Sequence, residues 1–98
     1  MTADKKLIEM KNLGPSTVNV LNSIGIRTQQ ELQAVGSVQA YRRIRQKGIH
    51  VSRALLYAME GALLDMPWQS LDPALKVQLV QMAERIYQKE TEAENPGG

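Results

Sequence analysis

The chain has 98 residues, a net charge of +2, no cysteine and a single histidine, His50. A length this small implies one domain, and the residue inventory excludes a disulfide framework, a thiolate zinc site and a histidine-rich metal cluster. The 43% hydrophobic content lies in Leu, Ile, Val, Met and Ala, with Trp68 and three tyrosines as the only aromatics, a mixture that favours helices over a β-sandwich.

Turn signals divide the sequence into short helical pieces. The N-terminal stretch has Lys5 and Lys6 but no apolar run behind them, so a secretory signal is not expected. A first helical segment is expected from about Lys5 to Lys11, stopping at Asn12. The second opens at Pro15, suited to a first helical position because its missing N–H has no intrahelical partner to lose. It runs to Ile24, with Gly25 as its stop. Thr28 and Glu31 fit a capping box that opens a helix through Leu32 to Val35. Ser37 is expected to cap Val38 to Gln46, and Ser52 the next helix, expected to be central, where Leu55, Ala58, Met59, Ala62 and Leu63 form a stripe at helical spacing. Gly61 interrupts that helix at a cost of about 1 kcal/mol relative to Ala, which implies that another backbone packs closely there. Asp72 caps a last helix with the stripe Leu75, Leu79, Met82, Ala83 and Ile86. The domain is expected to span residues 1–88, followed by an acidic, disordered tail over 89–98. No run reaches the roughly 20 apolar residues of a membrane span, so a cytoplasmic location is the simplest expectation.

The modest net charge conceals an asymmetry. From Arg27 to Arg53 six bases face the single acid Glu31, a net +5, whereas from Glu84 onward four acids face two bases, a net −2. Positions 42 and 45 share one helix face, and 43 and 47 a neighbouring one. Arg42, Arg43, Arg45, Lys47 and Arg53 are therefore candidates for contact with nucleic-acid phosphates; the alternative is a solvated face, since Tyr41 is the only aromatic beside them and no stacking platform for single strands exists.

Lys11-Asn12-Leu13-Gly14-Pro15-Ser16-Thr17-Val18 through Ile24-Gly25-Ile26 resembles a helix-hairpin-helix motif, in which a tight turn presents free amides at a helix N-terminus to a phosphate oxygen. The resemblance makes the amides of Leu13, Gly14, Ser16 and Thr17, with Lys11 nearby, candidate phosphate donors. Asn12 stands where the motif's first glycine would be, and no base follows Pro15 in the first turn; the alternative is a packing corner. His50 is expected in a loop. Trp68 is expected to plug the junction of the last two helices, with Trp68 and Tyr57 as partner-binding anchors in the alternative. No P-loop, dinucleotide fingerprint or metal-ligand spacing is present, so the sequence suggests neither an enzyme, a cofactor nor a small-molecule substrate.

Taken in order, Asn12-Leu13-Gly14-Pro15, Ile24-Gly25-Ile26-Arg27-Thr28, Glu31-Leu32, Val35-Gly36-Ser37-Val38-Gln39-Ala40-Tyr41, Leu56-Tyr57-Ala58-Met59-Glu60-Gly61-Ala62-Leu63 and Trp68 resemble the C-terminal domain of the TfoX/Sxy family. The resemblance implies an all-α fold, a small bundle of about five or six short helices of helix-hairpin-helix/SAM-like type. It also implies a role in regulating bacterial competence for DNA uptake at promoters dependent on the cyclic-AMP receptor protein. Members commonly carry an N-terminal α/β domain that nothing here matches, so an excised domain and a stand-alone relative are both expected readings. Two functions follow: a non-enzymatic transcription-regulatory domain touching DNA phosphates, or an interaction module docking on a transcription factor, on RNA polymerase or on its own copy as a homodimer.

Overall fold

The computed structural model describes residues 4–94, with side chains as far as Glu84. Five helices are formed, α1 (Pro15–Ser23), α2 (Gln29–Val35), α3 (Ser37–Gln46), α4 (Arg53–Leu63) and α5 (Pro73–Glu94), with single 3-10 turns at Leu7–Glu9 and Trp68–Ser70. The all-α architecture is the one expected, and among the described residues the only β pairing is an isolated bridge between Lys6 and Thr28.

That bridge explains why Lys5 to Lys11 is not the expected helix. The segment spends its polar groups on the start of α2. The carbonyl of Lys5 accepts from the Gln29 amide at 2.9 Å and the Asp4 carboxylate from the Gln30 amide at 3.0 Å. Thr28 Oγ1 accepts from the Glu31 amide at 3.3 Å, so three first-turn amides, which no helix can satisfy internally, all have partners. Half of the expected capping box is therefore present. Its other half is displaced by one residue, because the Glu31 carboxylate accepts from the amide of Arg27 at 2.8 Å.

Helices α1, α3 and α4 end in the same way. In each, the residue after the C-cap has positive φ: Gly25, Gly48 and, in a conformation glycine adopts more readily, Asp65. Backbone amides two residues past each C-cap return to the helix, Ile26 to Leu21, Ile49 to Ile44 and Met66 to Gly61. This is the Schellman arrangement, which also turns an apolar side chain back toward the helix.

Gly36, with φ 86°, ends α2 and caps α3 at once. Ser37 is thus the first residue of α3 and not its cap. Its hydroxyl is buried and donates to Glu60 Oε1 at 2.7 Å, tying α3 to α4. Ser52 does occupy the N-cap of α4, but its side chain makes no capping bond. Asp72 caps α5 as expected, accepting from the Ala74 amide at 2.9 Å. The long α5 passes through residue 88, where the sequence placed the end of the domain, and continues to Glu94. The side chain of Ile86, and residues 95–98 of the expected tail, lie outside the described residues.

The core forms where these helices meet. Leu21, Leu32, Ile44, Leu56 and Met59 have no exposed surface, and Leu7, Met10, Leu13, Leu79 and Ala83 close the cluster. Although α4 was expected at the centre, α3 packs against each of the other four helices. Its buried face, Val38, Ala40, Tyr41 and Ile44, explains this: two adjacent faces of the helix are apolar.

Asn12 and Gly61 approach each other closely. Asn12 has φ 70°, a left-handed conformation that asparagine tolerates better than most residues. Its Nδ2 donates to the carbonyls of Ala58 at 3.3 Å and Met66 at 2.9 Å, and its Oδ1 accepts from the Trp68 amide at 3.1 Å. A Cβ on Gly61 would lie 2.6 Å from Asn12 Nδ2, 2.8 Å from the Met66 carbonyl oxygen and 3.2 Å from Trp68 Cα. The glycine therefore has the reason the sequence implied. Gly61→Ala is expected to lose roughly 1–3 kcal/mol in urea unfolding despite the better helix propensity of alanine. Asn12→Ala should cost about 2 kcal/mol or more, because it removes three hydrogen bonds and leaves partly buried groups unpaired. A gain in stability from Gly61→Ala would show that the contact is slack.

Candidate functional site

The hairpin places its candidate residues in different environments. Leu13 is a core residue, and its amide donates to the Met10 carbonyl at 3.4 Å, so it is not a free donor. Gly14 is the N-cap of α1, Pro15 takes the first helical position as expected, and no side chain caps the helix. The amides of Ser16 and Thr17 in that first turn have no acceptor within the helix. Lys11 points elsewhere: its Nζ donates to the Asp65 carbonyl at 3.4 Å and lies 4.0 Å from the Asp65 carboxylate. Both side chains are exposed, so the pair contributes little to stability.

The basic candidates surround the end of α3 and the start of α4. Arg43, Arg45, Lys47 and Arg53 are exposed, whereas Arg42 is half-buried. The Arg45 guanidinium lies 5.7 Å from the centre of the Tyr41 ring, a cation–π distance. Lys47 Nζ donates to the Ser23 carbonyl, placing a cation at the negative end of α1. Arg53 forms an exposed ion pair with Glu84 of α5 at 2.8 Å.

These cations and the hairpin turn do not converge, although Lys47 reaches the far end of α1. The hairpin turn is held against the C-terminal end of α4 by Asn12, whereas Arg53 opens the N-terminal end of the same helix. Eleven helical residues, roughly 16 Å, separate the two ends. The structure thus presents two separate polar surfaces, of which the α3–α4 end carries the positive charge.

Beside those cations lies a concavity of about 520 Å³ between residues 48–53 and α5. Tyr41, Leu56 and Ala83, all buried, lie behind it, and exposed Arg45, His50, Arg53 and Glu84 line it. His50 is in the expected loop. On another side of the bundle, Leu63, Leu75, Leu79 and Met82 line an apolar groove with Glu60 at its edge. Neither feature was singled out in the sequence, because each is assembled from segments far apart in the chain.

Trp68 and Tyr57 stack with ring centres 6.1 Å apart and planes inclined by 23°. Lys76 of α5 places Nζ 5.3 Å from the Trp68 ring centre and 5.6 Å from that of Tyr57. Trp68 thus does join α4 to α5. Lys76 was not foreseen, since nothing in its own neighbourhood marks it as the partner of two rings. Among the described residues no group of three His, Cys, Asp or Glu side chains is placed to hold a metal, and no helix is long and apolar enough to cross a membrane.

The model of the TfoX C-terminal domain matches residues 3–83. The chain belongs to the TfoX C-terminal domain family. Protein Sxy of Escherichia coli (strain K12) is 23% identical over 86 residues, covering 88% of this chain and 41% of Sxy. The chain therefore spans about two-fifths of the length of that relative. A crystal structure of an uncharacterized protein from Listeria monocytogenes, in a triclinic form, is 35% identical, with a TM-score of 0.76 over 87% of this chain and 94% of that one. A tetragonal structure of a Listeria monocytogenes protein of unknown function is 37% identical, with a TM-score of 0.75 over 81% of this chain and 98% of the other. The TfoX C-terminal fold seen here thus recurs in experimentally determined relatives.

The Trp68–Lys76 contact in this TfoX C-terminal domain can be measured directly. Trp68→Ala is expected to cost roughly 2–3 kcal/mol in chemical unfolding, because a half-buried indole loses its packing. In a double-mutant cycle with Lys76→Met, which keeps the apolar stem, a coupling of about 0.5–1 kcal/mol is expected. Zero coupling would reduce Lys76 to a bystander.

Proposed function

We propose that this TfoX C-terminal domain is a non-enzymatic regulatory domain of bacterial DNA-uptake competence that touches duplex phosphates with the α3–α4 end of its bundle. The observation that carries the reading is the gathering of Arg43, Arg45, Lys47 and Arg53, all exposed, around one end of the fold. Phosphates recognised in this way give affinity without base identity. Promoter choice then falls to a partner such as the cyclic-AMP receptor protein, and the site of action is cytoplasmic. Ser16 and Thr17 amides at the hairpin supply a second phosphate contact only where the nucleic acid reaches the opposite end of α4.

A second reading, docking on a transcription regulator, on RNA polymerase or on a second copy, is supported by the groove beneath Met82, whose side chain is about half exposed beside Leu63 and Leu75. In that reading Tyr57 and Trp68, both half-buried and stacked with ring centres 6.1 Å apart, are the anchoring side chains.

Fluorescence anisotropy with a labelled duplex, from low to physiological salt, separates the two. The natural chain should bind with a slope of log affinity against log salt of roughly −0.9 for each phosphate neutralised. Arg43→Ala/Arg45→Ala/Lys47→Ala, checked for an intact fold by circular dichroism, should bind more weakly and with a shallower slope. Equal binding by both chains sinks the phosphate reading and leaves the docking one.

A further inference from the structure

We propose that a duplex is met by one flank of the α3–α4 end only, along a track made by Arg43 and Lys47 at the end of α3 and continued by Arg27 of the α1–α2 connection. The inference rests on the phosphate reading above. It narrows the cations that reading uses and adds one, Arg27, from outside the α3–α4 connection.

The division follows from helix geometry. Residues four apart on a helix lie on one side, whereas residues two apart point in nearly opposite directions. Arg43 and Lys47 therefore share a side of α3, and Arg45 is on the other. Each side is fixed by what it touches. Lys47 Nζ donates to the Ser23 carbonyl at the end of α1, so its side faces the α1–α2 connection. Arg45 lines the concavity whose other wall is Val80, Ala83 and Glu84, so its side faces α5.

On the α5 side the positive charge is already committed within the chain. Arg53 is paired with Glu84 at 2.8 Å, and Arg45 lies over the Tyr41 ring and has a further partner. On the α1 side the cations are open. Arg27 and Arg43 are both exposed, and among the described residues neither has an ion-pair partner. Lys47 spends one N–H on a neutral carbonyl, which leaves its charge unneutralised and two donors for a phosphate.

Arg27 is brought to this side by the ending of α1. Gly25, with φ 87°, and the return of the Ile26 amide to the Leu21 carbonyl at 3.0 Å reverse the chain just after Ser23. Ile26 is buried, so Arg27 emerges four residues beyond the carbonyl that Lys47 touches. Four residues span at most about 14 Å. A duplex carries a phosphate charge about every 1.7 Å of its axis, so cations within that span face several phosphates at once. Glu31 also lies here, and its carboxylate accepts from the Arg27 amide at 2.8 Å, which fixes the backbone that bears the guanidinium. Carbonyls at the ends of α1 and α3 would repel an anion. They are occupied by the amides of Gly25, Ile26, Gly48 and Ile49.

The test compares the two flanks by fluorescence anisotropy with a labelled duplex of arbitrary sequence, at low and at physiological salt, each variant checked for its fold by circular dichroism. Arg27→Gln/Arg43→Gln should bind about tenfold more weakly, with the slope of log affinity against log salt shallower by roughly 1.8, the loss of two phosphate contacts. Arg27→Gln alone should account for about threefold and roughly 0.9 of that slope. Arg45→Gln/Arg53→Gln, also at exposed positions, should bind within about twofold of the natural chain and keep its slope. Lys47 is left intact because it also holds the end of α1. The proposal is overturned if Arg27→Gln binds unchanged, or if the Arg45/Arg53 variant loses as much as the Arg27/Arg43 variant; either result leaves phosphate contact at the α3–α4 end standing. A natural chain that binds no duplex at either salt overturns both, so the two failures are read apart.

Discussion

One side-chain amide, that of Asn12, sets the register of the bundle. It joins three segments that are distant in sequence: the turn before α1, the carbonyls at the end of α4, and the amide that opens the Trp68 turn. The residue must supply two donors and one acceptor while its own backbone adopts a left-handed conformation, and asparagine does this at low cost. Gly61 is the complementary half, since any side chain there would occupy the space of that amide. With the turn held in this way, Leu13 is driven into the core and α1 leaves at a fixed angle toward α3. The Schellman ending of α4 uses the same Met66 whose carbonyl Asn12 binds, so the stop signal of one helix and the start of another are a single hydrogen-bonded unit.

The same arrangement bears on what the hairpin can contact. In the motif it resembles, glycine at the Asn12 position leaves backbone amides open. Here the side chain is turned inward and Lys11 leans toward Asp65, so what remains for an anion is the first turn of α1 alone. The cations are at the other end of α4. The inward-turned side chain of Asn12 and the exposed basic residues thus lie at opposite ends of α4.

Legibility followed the range of the interactions. Helices α1, α2, α3, α4 and α5 could be located because caps, prolines and glycines act within a few residues: Pro15, Thr28, Gly25, Gly48 and Asp72 all do what local chemistry predicts. Asp65 was not recognisable as a helix stop, because aspartate takes positive φ far less often than glycine and only the surrounding contacts require it. Lys5 to Lys11 carried a helical pattern but was overruled by its service to α2, a demand more than twenty residues away that no local window contains. The reason for Gly61 could be inferred in kind, as a close backbone approach, but not in identity. For the candidate site, the basic cluster was visible as a run of residues. The cavity beside it was not, because one wall of it, Val80, Ala83 and Glu84, is contributed by α5, and neither Glu84 nor Val80 differs in sequence from any other helix-surface residue.

Gly36 has a mechanical consequence. With no residue of slack between α2 and α3, the two helices meet at a joint whose geometry is set by the φ and ψ of one amino acid. Helix α2 is anchored at its far end by Asp4, Lys5 and Thr28, and α3 is pinned beside the joint by the Ser37–Glu60 bond. Neither torsion can change alone, because α3 is packed along its length against each of the other four helices, so α2 and α3 form one rigid corner. The direction in which α3 carries its arginines is thus set by a single glycine's torsions together with the core, with no loop between the two helices to take up a change.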